Sequence, residues 1–200
     1  MKSYILSAII LMLSGTVFGG VWTADTSHSL VGFKVKHMML SNTNGKFNDF
    51  SATLTTDDKE KLMAVDTTIQ AKSLDTTNEK RDAHLRSVDF FDTEKFPTIT
   101  FRTKKITAVK KGTFKLVGEL TMHGVTKELT FDADMTDAIK DPTGMQRRAF
   151  SASTKINRKD WGLSWNKTLD NGGVAVGDTV DVNLDLEFTS GAKAAAPTKS

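Results

Sequence analysis

Apolar and polar residues alternate along most of the chain, and this alternation is the main structural signal in the sequence. Within residues 30–39, Val31, Phe33 and Val35 fall on one face of an extended segment and Lys34 falls on the other. A period of two is typical of a half-buried β-strand. Similar alternation occurs at residues 47–56, 63–70, 98–109, 113–122, 127–135, 146–156 and 179–188. The pattern therefore predicts eight β-strands.

Turn-forming residues separate the predicted strands. They occur at residues 42–45 (Asn-Thr-Asn-Gly), at Lys111-Gly112, at His123-Gly124 and at residues 141–144. Evenly spaced strands with short turns indicate antiparallel pairing in a sandwich or a closed barrel. A sandwich fills its core with its own side chains, whereas an eight-stranded barrel can enclose one small ligand. The alternation alone fits both architectures.

Residues 73–92 interrupt the alternation. Asp75 and Thr77 are candidate N-caps of a short helix, and Leu85 and Val88 would lie on one side of it. We therefore expect a helix and a loop here, inserted between two strands.

A second irregular region covers residues 157–178. It contains Trp161, Trp165 and several glycines, a composition that does not suit a regular strand. We expect another short helix or a cap in this region. The sequence as a whole therefore predicts an all-β domain with one or two short helices.

The two ends of the chain differ in composition from the middle. Lys2 precedes an apolar run at residues 4–18 that is followed by small residues, a pattern typical of a secretory signal peptide. We assign residues 1–19 to the signal peptide, residues 20–190 to the barrel domain and residues 191–200 to a disordered tail. These boundaries predict a periplasmic or secreted protein.

Charge and cysteine content narrow the possible functions. Lys and Arg number 27 and Asp and Glu number 24, which gives +3, and +2 once Lys2 of the predicted signal peptide is subtracted. Such a balanced charge argues against a nucleic-acid partner. The sequence has no Cys, so an exported domain must be stabilised by burial and backbone pairing rather than by disulfides.

Ionisable residues in the helical region allow two interpretations. Asp82 and His84 are two positions apart and could form an acid/base pair of an enzyme acting on a lipid or small acyl substrate. Alternatively, Asp82 and Arg86 form a local ion pair on a solvated helix, because they are four residues apart. The four histidines of the chain are not spaced as metal ligands, and we predict no metal site and no cofactor.

Five sequence blocks, in register over nearly the whole of the predicted mature chain, resemble the YceI-like family. The blocks are TADTSHSLVGFKVKHMM, GKFNDFSATL, RDAHLRSVDFFDTEKFPTITF, GELTMHGVTKEL and KINRKDWGL. The resemblance implies an eight-stranded antiparallel lipocalin-like β-barrel with a long-chain amphiphile in its interior. The expected ligand is a polyisoprenoid, an isoprenoid quinone, a fatty acid or a fatty amide. The resemblance implies a binding protein rather than an enzyme.

The same resemblance suggests which residues contact the ligand. The residues expected to line the barrel are Phe33, Val35, His37, Phe47, Phe50, Phe91, Phe101, Met122, Phe131, Trp161 and Trp165. The residues expected at a polar head group are Arg81, His84 and Arg86. Phe90 and Phe96 would wall or close the tunnel, and Trp22 would plug its closed end. A homodimer that uses the arginines instead, and transient contact with a membrane, are further expectations.

Overall fold

A computed structural model describes residues 20–170 and 172–190. The predicted signal peptide, residues 1–19, and the predicted tail, residues 191–200, lie outside the described residues. Among the described residues, no helix has the length and apolar character needed to span a membrane.

The described residues form twelve β-strands in one antiparallel sheet. The strands are β1 Val21–Ala24, β2 Leu30–His37, β3 Ser41–Phe47, β4 Phe50–Thr56, β5 Leu62–Gln70, β6 Leu74–Asp75, β7 Thr98–Lys110, β8 Thr113–Met122, β9 Val125–Met135, β10 Ile139–Lys140, β11 Gln146–Asn157 and β12 Val176–Ser190. All eight predicted strands are present, and the pattern missed β1, β3 and the two-residue strands β6 and β10.

The sheet closes on itself because β11 pairs with both β9 and β12. The ring runs β12-β1-β4-β5-β7-β8-β9-β11 and returns to β12. Both β1 and β2 pair with β12, at successive positions along it, and β3 pairs with β2. The segments β1 and β2 therefore act as one interrupted strand of the barrel, and β3 and β4 act as another. The prediction of an eight-stranded antiparallel barrel is confirmed.

The predicted turn at residues 42–45 is wrong, because these residues lie inside β3. Gly45 pairs with Phe33 of β2, and a Cβ atom on Gly45 would lie only 2.2 Å from the Phe33 ring. This glycine therefore makes room for an aromatic ring instead of forming a turn. The chain reverses earlier, at Met38–Leu40, between β2 and β3.

One α-helix, α1 Glu79–Arg86, lies between β6 and β7 and confirms the predicted helix. Its N-cap is Asn78, whose side chain accepts a hydrogen bond from the Arg81 N–H at 3.0 Å, so the predicted caps Asp75 and Thr77 are wrong. Val88 is 78% exposed and does not share a packed face with Leu85. The second irregular region contains a short 3₁₀ helix, Arg158–Trp161.

One end of the barrel is filled with packed side chains. Residues from β4, β8, β11 and β12 meet there at exposures of 1% or less: Leu54, Leu116, Phe150, Leu186 and Phe188. Trp22 packs at this end with the Arg148 guanidinium 4.0 Å from its ring centroid. Arg148 is itself buried and forms an ion pair with Glu60. This end is closed by its own core, and any internal space lies towards the opposite end.

Candidate functional site

The opposite half of the barrel encloses a cavity of about 140 Å³. Its wall comes from β2, β3, β5, β7, β8, β9, β11 and β12, because inward-facing residues of each strand reach it. The apolar residues of the wall include Val31, Phe33, Val35, Ile69, Ile99, Phe101, Leu120, Met122, Phe131, Ile156, Val180, Val182 and Leu184. Among the described residues that line it, the polar ones are Thr67, Thr154 and Arg158. The interior is therefore suited to an apolar molecule.

Aromatic rings form one side of the cavity. Phe47 of β3 lies between Phe33 and Phe91, with centroid distances of 5.8 and 6.0 Å. Phe101 of β7 and Phe131 of β9 make an edge-to-face contact at 5.3 Å, across the intervening strand β8. Leu85, Phe90 and Phe91 also line the cavity, so α1 and the loop after it complete the wall.

Hydrogen bonds within the chain hold α1 against β6. The Arg86 guanidinium donates to the backbone oxygens of Lys72 and Leu74, and the Arg81 guanidinium donates to the oxygens of Thr76. The buried Asp82 carboxylate accepts from the Thr76 N–H at 3.0 Å and from its hydroxyl at 2.5 Å. The predicted Asp82–Arg86 ion pair is therefore wrong, because both side chains bind residues 72–76, which precede the helix.

The acid/base pairing of Asp82 with His84 is also wrong. His84 Nε2 lies 2.9 Å from Asp89 Oδ2, while Asp82 is occupied by Thr76. The His84 ring packs edge-on against Phe90 and Trp165, with centroids at 5.1 and 4.8 Å. This half-exposed histidine therefore joins the helical region to the second irregular region at the cavity end.

The two irregular regions meet over the same end of the barrel. Trp161 is buried, and its indole N–H donates to the Leu120 oxygen at 3.2 Å. His123 Nδ1 lies 3.0 Å from the Trp161 oxygen, and the His123 ring packs on Phe96 at 4.6 Å. These contacts tie the turn between β8 and β9 to the loop that precedes β7 and to the second irregular region.

Arg158 is the charged residue on the described cavity wall. Its Nε donates to the Gly177 oxygen at 3.0 Å, one terminal nitrogen donates to the Leu163 oxygen, and the other lies 3.4 Å from Asp178. Burial lowers the pKa of Arg158, and the Asp178 carboxylate partly opposes this shift. The guanidinium thus links Leu163 to the start of β12, and its donors are taken by two backbone oxygens and one carboxylate.

Seven of the fourteen predicted site residues lie on the cavity wall: Phe33, Val35, Phe47, Phe91, Phe101, Met122 and Phe131. His37 is exposed at the end of β2, Phe50 packs in the core, and Trp161 and Trp165 lie in the second irregular region, residues 157–178. Arg81, His84 and Arg86 lie on α1, outside the wall. Ligand contact by any of these residues stays a prediction.

Several wall residues were not among the predicted site residues. Thr67 and Ile69 share the inward face of β5, and alternation along that strand could have identified both. Leu163 and Val176 flank an irregular segment where no periodicity exists, so the sequence carries no comparable signal for them.

A cluster of Asp25, His28 and Glu187 lies outside the cavity, with ligand-type atoms close enough to surround a metal ion. Arg147 already forms ion pairs there with Asp25 at 3.0 Å and with Glu187 at 2.5 Å. Hydrogen bonds from Ser27 and Arg147 hold the pKa of Asp25 well below its usual range. Arg147 therefore supplies a positive charge next to both carboxylates, and the cluster is an ion-pair network outside the cavity.

The closed antiparallel sheet with an internal apolar cavity defines a lipocalin-like β-barrel. Residues 22–188 match the family model described as the YceI-like domain. The chain belongs to the YceI-like family.

Three known proteins illustrate the similarity. The UPF0312 protein SA2479 of Staphylococcus aureus is 37% identical over 170 residues, which cover 84% of this chain and 96% of that protein. The crystal structure of the Campylobacter jejuni YCEI protein is 31% identical, with a TM-score of 0.67 over 96% of this chain and all of that one. A polyisoprenoid binding domain from Saccharophagus degradans superposes with a TM-score of 0.65 at 15% identity, over 85% of this chain and 98% of that one. The last comparison concerns the fold alone.

Proposed function

We propose that the protein binds a long-chain amphiphilic lipid, with the apolar tail in the barrel cavity and the head group at the covered end. The observation that carries this proposal is the almost wholly apolar cavity wall. Each buried CH₂ group contributes about 0.8 kcal/mol, so a tail of several carbons outweighs a hydrogen bond of about 1 kcal/mol. Binding is then driven by the tail, and selectivity for the head group is modest.

The ligand class is a polyisoprenoid, an isoprenoid quinone, a fatty acid or a fatty amide. The description of the Saccharophagus degradans relative as a polyisoprenoid binding domain supports the first of these. We further propose that the protein is an exported carrier or store in the periplasm or outside the cell. The signal-peptide pattern at residues 1–19 supports export. A carrier role suits an exported protein, because a lipid tail that is insoluble in water needs a protein to cross an aqueous compartment.

The proposal requires the cavity to widen when the ligand enters. Its volume of about 140 Å³ is below the roughly 300–1,000 Å³ that is typical of ligand sites. Residues 87–97 belong to no strand, so this segment can move without breaking the barrel ladder. Displacement of Phe90 and Phe91 would enlarge the cavity on this side.

The head group has one suitable polar neighbour on α1. The guanidinium groups of Arg81 and Arg86 bind backbone oxygens of their own chain, whereas the His84 side chain is 40% exposed beside the cavity residue Phe90. We therefore propose that His84 and its partner Asp89 contact the head group. A homodimer through α1 would bury the same surface, and sedimentation in the presence and absence of lipid distinguishes the two arrangements.

The first test is native mass spectrometry of the protein purified from its own host, followed by organic extraction. We expect one long-chain lipid per protein. A Val182→Trp variant fills the cavity, and Val109→Trp places the same bulk on an exposed position of β7 that is 60% accessible. Val182→Trp should lose the lipid while Val109→Trp retains it, and circular dichroism should show that both are folded.

Two results would contradict the proposal. One is protein that is empty from every growth condition and that fails to take up polyprenol or oleic acid delivered in detergent. The other is equal lipid retention by the two tryptophan variants, which would place the lipid outside the barrel.

A further inference from the structure

The turn between β2 and β3 exposes three consecutive apolar side chains. Met38, Met39 and Leu40 are 39%, 61% and 82% exposed, and we name these residues the hairpin tip. Single exposed apolar residues are common on protein surfaces, but adjoining ones at the end of a hairpin form a projecting apolar patch. Such a patch indicates contact with an apolar partner.

The backbone of the hairpin tip makes the choice of these residues unusual. The Leu40 N–H donates to the His37 oxygen at 3.0 Å, and the two residues between them have φ angles of 51° and 62°. Hairpin turns with two positive φ values favour Asn, Asp and Gly, because larger side chains are strained there. Met38 and Met39 are therefore unfavourable for the turn itself. Their large exposure means that packing within the barrel gives little compensation.

The hairpin tip lies at the end of the barrel that holds the cavity. The Met38 N–H donates to the Ala175 oxygen at 2.9 Å, beside Val176 of the cavity wall. Val35, three residues before Met38, also lines the cavity. A partner bound at the hairpin tip would therefore adjoin the ligand.

Two exposed lysines flank the hairpin tip. Lys36 lies two residues before Met38 on β2, and the Lys167 backbone oxygen accepts a hydrogen bond from the Ala175 N–H at 2.9 Å. Neither lysine side chain has an ion-pair partner among the described residues. Apolar residues bordered by free cations match the chemistry of a bilayer surface with anionic head groups.

We propose that the hairpin tip inserts into the surface of a phospholipid bilayer that contains anionic lipids, with Lys36 and Lys167 at the head groups. The cavity end then faces the membrane interface, where an amphiphile can pass between bilayer and barrel. The role in lipid exchange rests on the proposed function, whereas the docking itself requires only the exposed residues of the tip.

Vesicle flotation of the full chain tests the docking. The vesicles are phosphatidylcholine alone or an equal mixture of phosphatidylcholine and phosphatidylglycerol. The variant Met39→Asn/Leu40→Ser removes apolar surface and suits the positive φ of residue 39. The control Val109→Ser/Ile139→Ser removes two exposed apolar side chains elsewhere on the barrel. We expect the tip variant to bind mixed vesicles about tenfold or more weakly than wild type, and the control to bind normally.

The cationic contribution has a separate readout. Lys36→Gln/Lys167→Gln should weaken binding to the mixed vesicles but not to phosphatidylcholine vesicles. Added salt should reduce the difference in mixed-vesicle binding between this variant and wild type. The sequence has no Cys, so a single cysteine at position 40 can carry a polarity-sensitive dye. The dye should shift to the blue with mixed vesicles, whereas the same dye at position 139 should not.

The outcomes separate this inference from the proposed function. A tip variant that carries extractable lipid but does not float with vesicles supports both. Vesicle binding through the tip by a protein that never holds lipid keeps the docking and removes the exchange role. Equal flotation of the tip variant and wild type overturns the inference, as does a tip variant whose main change is dissociation of a dimer.

Discussion

Two phenylalanines of the cavity wall depend on glycines of neighbouring strands. The Phe33 ring occupies the place of a Gly45 side chain, and the Phe101 ring does the same at Gly118, where a Cβ would lie 2.3 Å away. The absence of a side chain at these glycines thus determines where the rings lie. The size of the cavity is controlled by residues that do not line it.

We expect Gly45→Ala to destabilise the protein by about 1–3 kcal/mol, because the new methyl group forces the Phe33 ring to move. Gly32→Ala on the paired strand is the control, since its nearest side-chain neighbour would lie at an ordinary 3.5 Å. Urea unfolding of both variants measures the difference. Equal free energies of unfolding would show that the ring moves without cost.

At Asp141, hydrogen bonds from Thr143 and Arg147 hold the carboxyl pKa well below its usual range. A carboxyl group with a lowered pKa stabilises the folded state above its unfolded pKa of about 3.9. That contribution is lost as the pH falls further, through the folded pKa. Asp141→Asn should therefore be less stable than wild type at pH 7, and the difference should narrow below about pH 4.

Urea unfolding at several pH values measures this narrowing. Asp137→Asn is the control, because Asp137 pairs with Lys111 where both side chains are almost fully exposed. A difference between Asp141→Asn and wild type that stays constant down to pH 2 would refute the electrostatic explanation.

At the scale of elements, α1 is fixed to the barrel chiefly through polar contacts with the residues before it. Thr76 is 3% exposed, and the Asp82 carboxylate accepts hydrogen bonds from both its N–H and its hydroxyl. Without Asp82 these buried donors would have no carboxylate to bind. The position of Leu85 on the cavity wall therefore depends on a carboxylate that never touches the cavity.

Asp82→Ala should cost about 1–3 kcal/mol, because it leaves the buried Thr76 donors without that acceptor. Lys80→Ala, at an exposed position of the same helix, should change stability by less than about 0.5 kcal/mol. Hydrogen exchange should show faster opening of residues 71–97 in Asp82→Ala, with the strands β8 to β12 unchanged. Uniform acceleration over the whole barrel would contradict a local role.

The elements were predictable to different degrees. Long strands such as β8 alternate over ten residues, so their existence and type follow from the sequence. β3 was not predictable in the same way, because its Asn and Gly residues also suit a turn. The Asp82 contact was hidden as well, since i, i+4 spacing favours Arg86 as a partner and Thr76 becomes available only when β6 reaches the helix.

At the scale of the molecule, the barrel has one packed half and one hollow half. Leu184 and Leu186 lie two residues apart on the same face of β12, yet the first lines the cavity and the second is 1% exposed in the core. Alternation identifies the inward face of a strand but not the position along the barrel axis. The cavity itself was therefore not predictable from periodicity, and the family resemblance was needed.

The two leucines provide a matched test of this division in lipid-free protein. Leu186→Ala should cost about 2–5 kcal/mol because it creates a new cavity in the packed half. Leu184→Ala should cost less than about 2 kcal/mol, because it only enlarges a space that exists already. Equal losses of unfolding free energy for the two variants, measured by urea unfolding, would mean that the hollow half is as tightly packed as the packed half.

The closure of the sheet by β12 has a consequence for how the barrel forms. Thr23 of β1 pairs with Thr189 of β12, 166 residues further along the chain. Contacts of such long range make folding slow, because the entropy of closing a long loop must be lost before the strands can pair. Until β12 is in place, the barrel is an open sheet whose apolar face is accessible. During that interval the nascent chain is exposed to aggregation, and ligand can be enclosed only after the final strand has joined the first.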